Sequence, residues 1–362
     1  MVSEPLVSVI ISTYNRPELL RQSVMSVLSQ TLTDFELIIC DDASTMLEHV
    51  QAAIPDDPRI RYTRSSRNLG MAANNARGYR LVRGRYVAHL DDDDLWTPEY
   101  LQRLVLALES RPHCSLAFCN HMVIDEAGRP SPRASLWGEV KWGRADLKEG
   151  VYQPFWDLAI LRRAIPTSHA SVIRRDVLAD LTSLPEAGYA WDLFLTYQAA
   201  RGGHGAYFTP ERLSLYRNHA DQHSAPATHM EAYRSQIYCD RIFLADPEIG
   251  ADRSVLSARL ARVTVFGAVA LLRLRRVDEA RSALRGVRHG FWGVTAKVLT
   301  RLPAGFVLAR LAFRIAVVFR RIRSKRLRRS HRGVSGYRRL RLRGISVGPP
   351  FAGGWIRGRG GR

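Results

Sequence analysis

Apolar and polar positions alternate in blocks along the first half of the chain. LVSVIIS, residues 6–12, is a continuous run rich in Val and Ile, as expected for a strand buried on both faces. Pro17 starts a helix to about residue 30, with Leu20, Val24, Val27 and Leu28 at helical spacing. FELIICDD is a second buried strand, residues 45–54 suit a short helix, and RIRYTRS reads as a third strand. GMAANNARGYRLV is expected to be helical, and GRYVAHLDDDD to be a fourth strand ending in Asp91–Asp94. Thr97, Pro98 and Glu99 mark a helix start, with Thr as the cap, and that helix runs to about Ser110. SLAFCNHMVID follows as a strand closed by the turn EAGRP.

Periodicity weakens over residues 131–165, where Trp137, Trp142 and Trp156 lie among charges; a loop-and-helix insertion near the site is expected. HASVIRR predicts a strand, YAWDLFLTYQAARGG a helix ended by its glycines, and ERLSLYRNHADQHS a final strand entering a polar loop. Beyond residue 230 the patterns are helical only. Residues 254–287 hold two amphipathic segments joined near Arg275 and Arg276, and residues 306–321 set Arg310, Arg314 and Arg321 against an apolar face. The division that follows is an α/β domain over 1–230, a helical region over 231–302, an amphipathic basic helix over 303–322, and a disordered Arg/Gly-rich tail over 323–362.

Strands alternating with helices imply an α/β fold: a mostly parallel sheet with helices on both faces. Ligands of such sheets bind outside the carboxyl ends of the strands. Three strands end in polar clusters, Ser12–Asn15, Asp41–Ser44 and Asp91–Asp94, which should converge on one edge. Of these, the four consecutive aspartates are the most pointed feature, because each raises the cost of ionising the next.

Charge sharpens the picture. The net charge is +20, yet fifteen of the 54 Lys and Arg lie at or beyond Arg320 with no Asp or Glu among them. Upstream, 39 basic residues face 34 acidic ones, so the basicity belongs mainly to the tail. The four cysteines show no zinc-site spacing and suggest a reduced, cytoplasmic chain. The N-terminus reads as a first strand, not a signal peptide, and no uninterrupted apolar stretch is long enough to span a membrane.

A strand-end pair spaced i, i+2, here Asp91 and Asp93, can present both carboxylates to one side and hold Mn2+ or Mg2+ together with phosphate oxygens. Asp92 and Asp94 are then placed to meet sugar or ribose hydroxyls. The competing reading is a solvated turn that caps the next helix. Asp41 can accept hydrogen bonds from a base or ribose, with Thr13 and Asn15 framing the pocket. Alternatively Asp42 and Ser44 cap the following helix, and at least one is expected to do so. Arg67 offers a guanidinium for phosphate or base.

VSVIISTYNRPELLRQSVMSVLSQT, FELIICDDAS, RNLGMAANNARGYRLVRGRYVAHLDDDD and WTPEYLQRL together resemble the N-terminal half of family 2 glycosyltransferases, over about residues 6–110. The resemblance implies a GT-A (Rossmann-like) fold and inverting transfer from a nucleotide-sugar donor to an acceptor hydroxyl. It places Asp41 at the nucleobase with Thr13, Asn15 and Arg67 nearby, and makes Asp91 and Asp93 the Asp-x-Asp pair, Asp93 the direct metal ligand. LYRNHADQHS resembles the family's closing loop, where Arg217 and His219 approach the diphosphate or metal. Relatives carry acid-Asp-Trp-Asp-Leu at a helix start, the first Asp serving as base. Here that position is Ala190, which leaves Asp192 and Glu186 as the candidate bases.

Three functions are in contention: a metal-dependent glycosyltransferase, favoured with UDP as nucleotide and a glycan or lipid-linked acceptor; a catalytically weak sugar-nucleotide binder, which Ala190 motivates; and a sugar-nucleotide nucleotidyltransferase. Against the last, STYNRPELL lacks the Gly-rich basic loop that class carries after its first strand. The tail suits an anionic membrane surface better than nucleic acid, because an amphipathic helix precedes it.

Overall fold

In the computed structural model the described residues are 4–178, 181–219 and 229–286. They contain nine strands, β1 (Val7–Thr13), β2 (Phe35–Asp41), β3 (Ile60–Arg64), β4 (Tyr86–Asp91), β5 (Leu95–Trp96), β6 (Cys114–Ile124), β7 (Gly150–Tyr152), β8 (Ser171–Arg174) and β9 (Gly205–Arg217). The helices are α1 (Pro17–Leu28), α2 (Leu47–Ala52), α3 (Met71–Tyr79), α4 (Tyr100–Glu109), α5 (Pro132–Lys141), α6 (Trp191–Ala200), α7 (His229–Ala245), α8 (Arg253–Arg273) and α9 (Val277–Ala283). All belong to one compact unit, Met1–Ala309.

The strands form one sheet in the order β3-β2-β1-β4-β8-β6-β9-β5, with β7 paired to β9. Its first four strands are parallel, and β8 then runs antiparallel to both β4 and β6. Why the central strands read as unbroken apolar runs is plain from the two faces. Val9, Ile11, Leu37 and Ile39 point into one buried layer with α1 and α4, while Ile10, Ile38 and Cys40 point into the other with α3, α6 and α7. All four cysteines are free and buried.

Register explains the converging strand ends. Thr13 lies beside Asp41, and Ser12 beside Asp91, so β1, β2 and β4 finish level with one another.

Two helix starts differ from the pattern's prediction. α4 begins at Tyr100, whose N–H donates to the Thr97 carbonyl, and the Thr97 hydroxyl is buried without a partner among the described residues. Thr97 is therefore not a side-chain cap. α2 begins at Leu47, with neither Asp42 nor Ser44 capping it. Residues 131–165 hold α5, β7 and a π-helical turn at Asp157–Leu161. The expected joint at Arg275 and Arg276 separates α8 from α9.

No spanning segment was expected, but α8 over Arg253–Leu272 is long and apolar enough to cross a membrane by length and composition. A buried core helix passes the same test. α8 is partly buried, and its Arg259 pairs with the buried Asp240 of α7 and donates to the Ile160 carbonyl. The basic helix and tail expected over 303–362 lie outside the described residues.

Candidate active site

At the end of β1, Thr13 donates from Oγ1 to Asp92 at 2.8 Å. Asn15, in left-handed backbone at φ 55°, accepts at Oδ1 from the N–H groups of Thr45 and Met46, while its own N–H donates to Ser44 Oγ. Asn can adopt this conformation at low cost, so it staples the loop after β1 to the loop after β2. Ser44 is thus engaged by Asn15, which is why it does not cap α2.

Asp41 is fully buried. Its carboxylate accepts from the Ser44 N–H at 2.9 Å and the Tyr62 hydroxyl at 2.6 Å, with Arg64 Nε at 3.5 Å. Asp42 accepts from the N–H groups of Leu69 and Gly70, fixing the turn that opens α3. Arg67, within that turn, is exposed. On α3, Asn75 accepts from Ser12 Oγ, and its buried Nδ2 has no partner among the described residues.

The four aspartates divide into one turned inward and three that cluster. Asp92 is buried, with its oxygens on Thr13 and on Arg16 Nη1 at 3.1 Å. The Thr13 hydroxyl and the Arg16 guanidinium hold it inward. Burial, only partly offset by Arg16, raises Asp92 to about 7, and Asp93 adds to the rise. Asp91, Asp93 and Asp94 can bring one carboxylate oxygen each within 4.8 Å of one another. Asp94 is fully buried, and its Oδ2 has no hydrogen-bond partner among the described residues. Burial, then Asp93 and Asp91, hold Asp94 well above the ordinary carboxylate range. An orphaned buried oxygen beside two further carboxylates is a hard-oxygen donor set that fits Mg2+ or Mn2+.

His219 donates or accepts at Nε2 with Asp93 Oδ2, 2.9 Å away. Arg217 is buried, with Nε on the Asp93 carbonyl, Nη1 on the Glu126 carbonyl and Nη2 on Gln22 Oε1. Its own N–H donates to Asp94 Oδ1 at 2.7 Å. It clamps the acidic turn to β9, its guanidinium donating to two main-chain carbonyls and to the Gln22 side chain.

Two residues went unread in the sequence. Arg16 bridges Asp92 and Asp93 at 3.1 and 3.0 Å, and is the positive group within the acidic run. Its signal was hidden in Asn-Arg-Pro, which marks a helix start equally well. His89 is buried between Tyr79 and Trp191, with Nε2 3.5 Å from Asp91 Oδ1.

Ala190 packs into the core, its carbonyl facing Cys239 of α7. Asp192, in the first turn of α6, is raised by burial; its Leu193 N–H bond and Arg163 oppose the rise, and Asp91 adds to it. Asp192 therefore stands within electrostatic reach of the metal-type cluster. Glu186 is exposed on the 3-10 turn Pro185–Ala190 and lies in a separate cavity.

Residues 8–182 match the model of Glycosyl transferase family 2. Over those residues the chain carries a family 2 glycosyltransferase domain. This transferase is 26% identical over 296 residues to an uncharacterized glycosyltransferase of Haemophilus influenzae, covering 79% of this chain and 85% of the relative. It is 39% identical over 103 residues to the putative colanic acid biosynthesis glycosyl transferase WcaA of Escherichia coli, covering 28% of this chain but only 37% of that one. Two solved structures share its fold. Staphylococcus aureus TarS with UDP-GlcNAc gives a TM-score of 0.52 at 16% identity, over 84% of this chain and 81% of TarS. The Pyrobaculum calidifontis mannosyltransferase with GDP-Man and Mn2+ gives 0.51 at 16%, over 86% and 87%.

Proposed function

We propose that the chain transfers a sugar, with inversion, from a nucleoside-diphosphate sugar to a hydroxyl of a glycan or lipid-linked acceptor in cell-envelope or polysaccharide synthesis. The observation that carries this reading is the Asp91, Asp93 and Asp94 cluster at the level ends of β1, β2 and β4, with Asp192 in its field. The three carboxylates and His219 would hold Mn2+ or Mg2+. A cation there would offset negative charge developing on the departing diphosphate.

The chain's own residues do the rest. Tyr62 and Arg64 flank the buried Asp41, and with the loop that Asn15 staples they would frame a nucleoside. Asp192 takes the proton from the acceptor hydroxyl, and its raised proton affinity makes it a stronger base than a solvated aspartate. The attacking oxygen then bonds to the anomeric carbon as the diphosphate oxygen leaves. UDP is the favoured nucleotide; the fold relatives carry both UDP-GlcNAc and GDP-Man. The colanic-acid relative supports an envelope polysaccharide. A basic C-terminal region would hold the enzyme at the anionic cytoplasmic face of a membrane.

Thermal stability against UDP, GDP, TDP and CDP sugars, each with and without Mn2+, tests the reading. A selective, metal-dependent rise that disappears in Asp93→Ala is expected. No rise with any donor would overturn it.

A further inference from the structure

A cavity of about 670 Å3 opens beside the candidate catalytic edge, within the range of roughly 300–1,000 Å3 typical of small-ligand sites. One wall is the turn at Leu69 and Gly70, tied to Asp42 at the end of β2. The second is the 3-10 turn with Glu186 and Tyr189, which leads directly into Asp192. The third is α7, contributing Glu231, Tyr238 and Arg241. The cavity thus joins the element that frames the donor edge to the element that carries the candidate base.

Its walls are held in place. Gly188, at φ 51°, lies so close to α7 that a Cβ there would stand 2.4 Å from Ser235 Oγ, and the Tyr189 N–H donates to that same oxygen. Two walls also stand outside the family match: residues 8–182 include the Leu69 turn but neither the 3-10 turn nor α7. The family match therefore reaches only one of the three walls.

We infer that this cavity is a binding site for an uncharged saccharide, the acceptor of the transfer proposed above, on which the word acceptor rests. Tyr189 and Tyr238 line the cavity, and aromatic rings are the side chains suited to cover the C–H face of a pyranose. Glu186 and Glu231 make no hydrogen bond or ion pair with another described residue, and are acceptors for adjacent sugar hydroxyls. Arg241, exposed, supplies the matching donor. Arg234 also lines the cavity but is paired with Glu279 of α9 at 3.3 Å. Two uncommitted carboxylates therefore face one uncommitted guanidinium, in a chain whose net charge is +20. That local balance disfavours uronate-rich or phosphate-bearing acceptors.

The test uses the full chain on immobilised neutral hexose oligosaccharides, uronate-containing oligosaccharides and polyol-phosphate oligomers. Glu186→Gln and Glu231→Gln alter exposed side chains and keep their shape. Neutral oligosaccharides are expected to be retained, and each substitution to weaken retention about tenfold, the scale of one charge-assisted hydrogen bond. Mn2+-dependent stabilisation by the donor nucleotide should stay unchanged in both variants. Retention of no neutral glycan, preference for either anionic set, or unchanged retention in the variants would overturn the inference. So would loss of nucleotide stabilisation in Glu231→Gln, which would make the cavity part of the donor site. If the unsubstituted chain shows no nucleotide response while neutral-glycan retention still tracks the substitutions, the transferase reading fails and the saccharide site stands.

Discussion

Arg16 lies 3.1 Å from Asp92 and 3.0 Å from Asp93, so one guanidinium serves two of four consecutive carboxylates, while Asp94 keeps a buried oxygen with no hydrogen bond among the described residues. The electrostatics are left incomplete, and a pH dependence follows. Burial holds the folded Asp92 at about 7, above the usual 3.8, and pushes Asp94 the same way. A carboxyl that keeps its proton longer in the fold than in the unfolded chain costs stability as pH rises through that interval. Buried His121 and His169 act oppositely: His169 is lowered to about 3, so their loss of stability comes as pH falls below about 6.5. The acids are therefore read above the histidine range. Metal-free protein is expected to melt lower at pH 8 than at pH 6.5, with Mn2+ narrowing the gap and Asp92→Asn reducing it. A metal-free melting temperature equal at both pH values would contradict the buried-acid account. Asp192 yields a second residue-scale expectation. Asp192→Asn should lower kcat by about 10²–10⁴, the usual scale of a general base, with donor affinity kept. Loss of donor binding in that variant would assign it to binding instead.

Among the elements, the junction of the 3-10 turn with α7 decides the most. Gly188 adopts φ 51° and ψ −124° with Ser235 Oγ where a Cβ would go. Gly188→Ala is expected to destabilise the fold by about 1–3 kcal/mol, and adding Ser235→Ala to recover the steric part but not the backbone strain. Chemical denaturation of the single and double variants measures both; no loss in Gly188→Ala would mean the turn relaxes freely. This junction shows where sequence reading stops. β1, β2, β4 and α1 were legible because each buries its own periodic pattern, and the level strand ends followed from parallel pairing. The roles of Arg217 and Asp92 were not legible. Both look like ligand-facing polar residues in sequence; long-range partners hold them inward, Thr13 and Arg16 for Asp92 and the acidic turn for Arg217. Arg16 and His89 were passed over for the complementary reason: a charge beside a helix start, or a polar ring buried within a strand, carries no periodic signal. Ala190 reads as a missing base until α7 is in place, where residue 190 proves to be core and Asp192 the carboxylate near Asp91.

For the whole molecule, charge is distributed against function. The acidic cluster and the proposed saccharide cavity lie in the compact unit, whereas fifteen Lys and Arg without a single Asp or Glu occupy the chain from Arg320 onward. Nothing in the donor or acceptor chemistry calls for that excess. A polybasic segment gains about 1 kcal/mol per Lys or Arg near an anionic bilayer, and an apolar helix face alongside it adds insertion. Residues 303–322 present such a face in their sequence pattern. If the segment is an anchor, the full chain should float with vesicles containing anionic lipid and lose that flotation at high salt, because surface charge is screened within a Debye length. A chain ending at residue 302 should remain with the unbound protein yet keep its nucleotide response, since every residue assigned to the donor site lies upstream. Equal flotation of the two chains would remove the anchor role. Flotation of the shorter chain alone would turn attention to α8, which is long and apolar enough to enter a bilayer but is tied to α7 through Arg259 and Asp240.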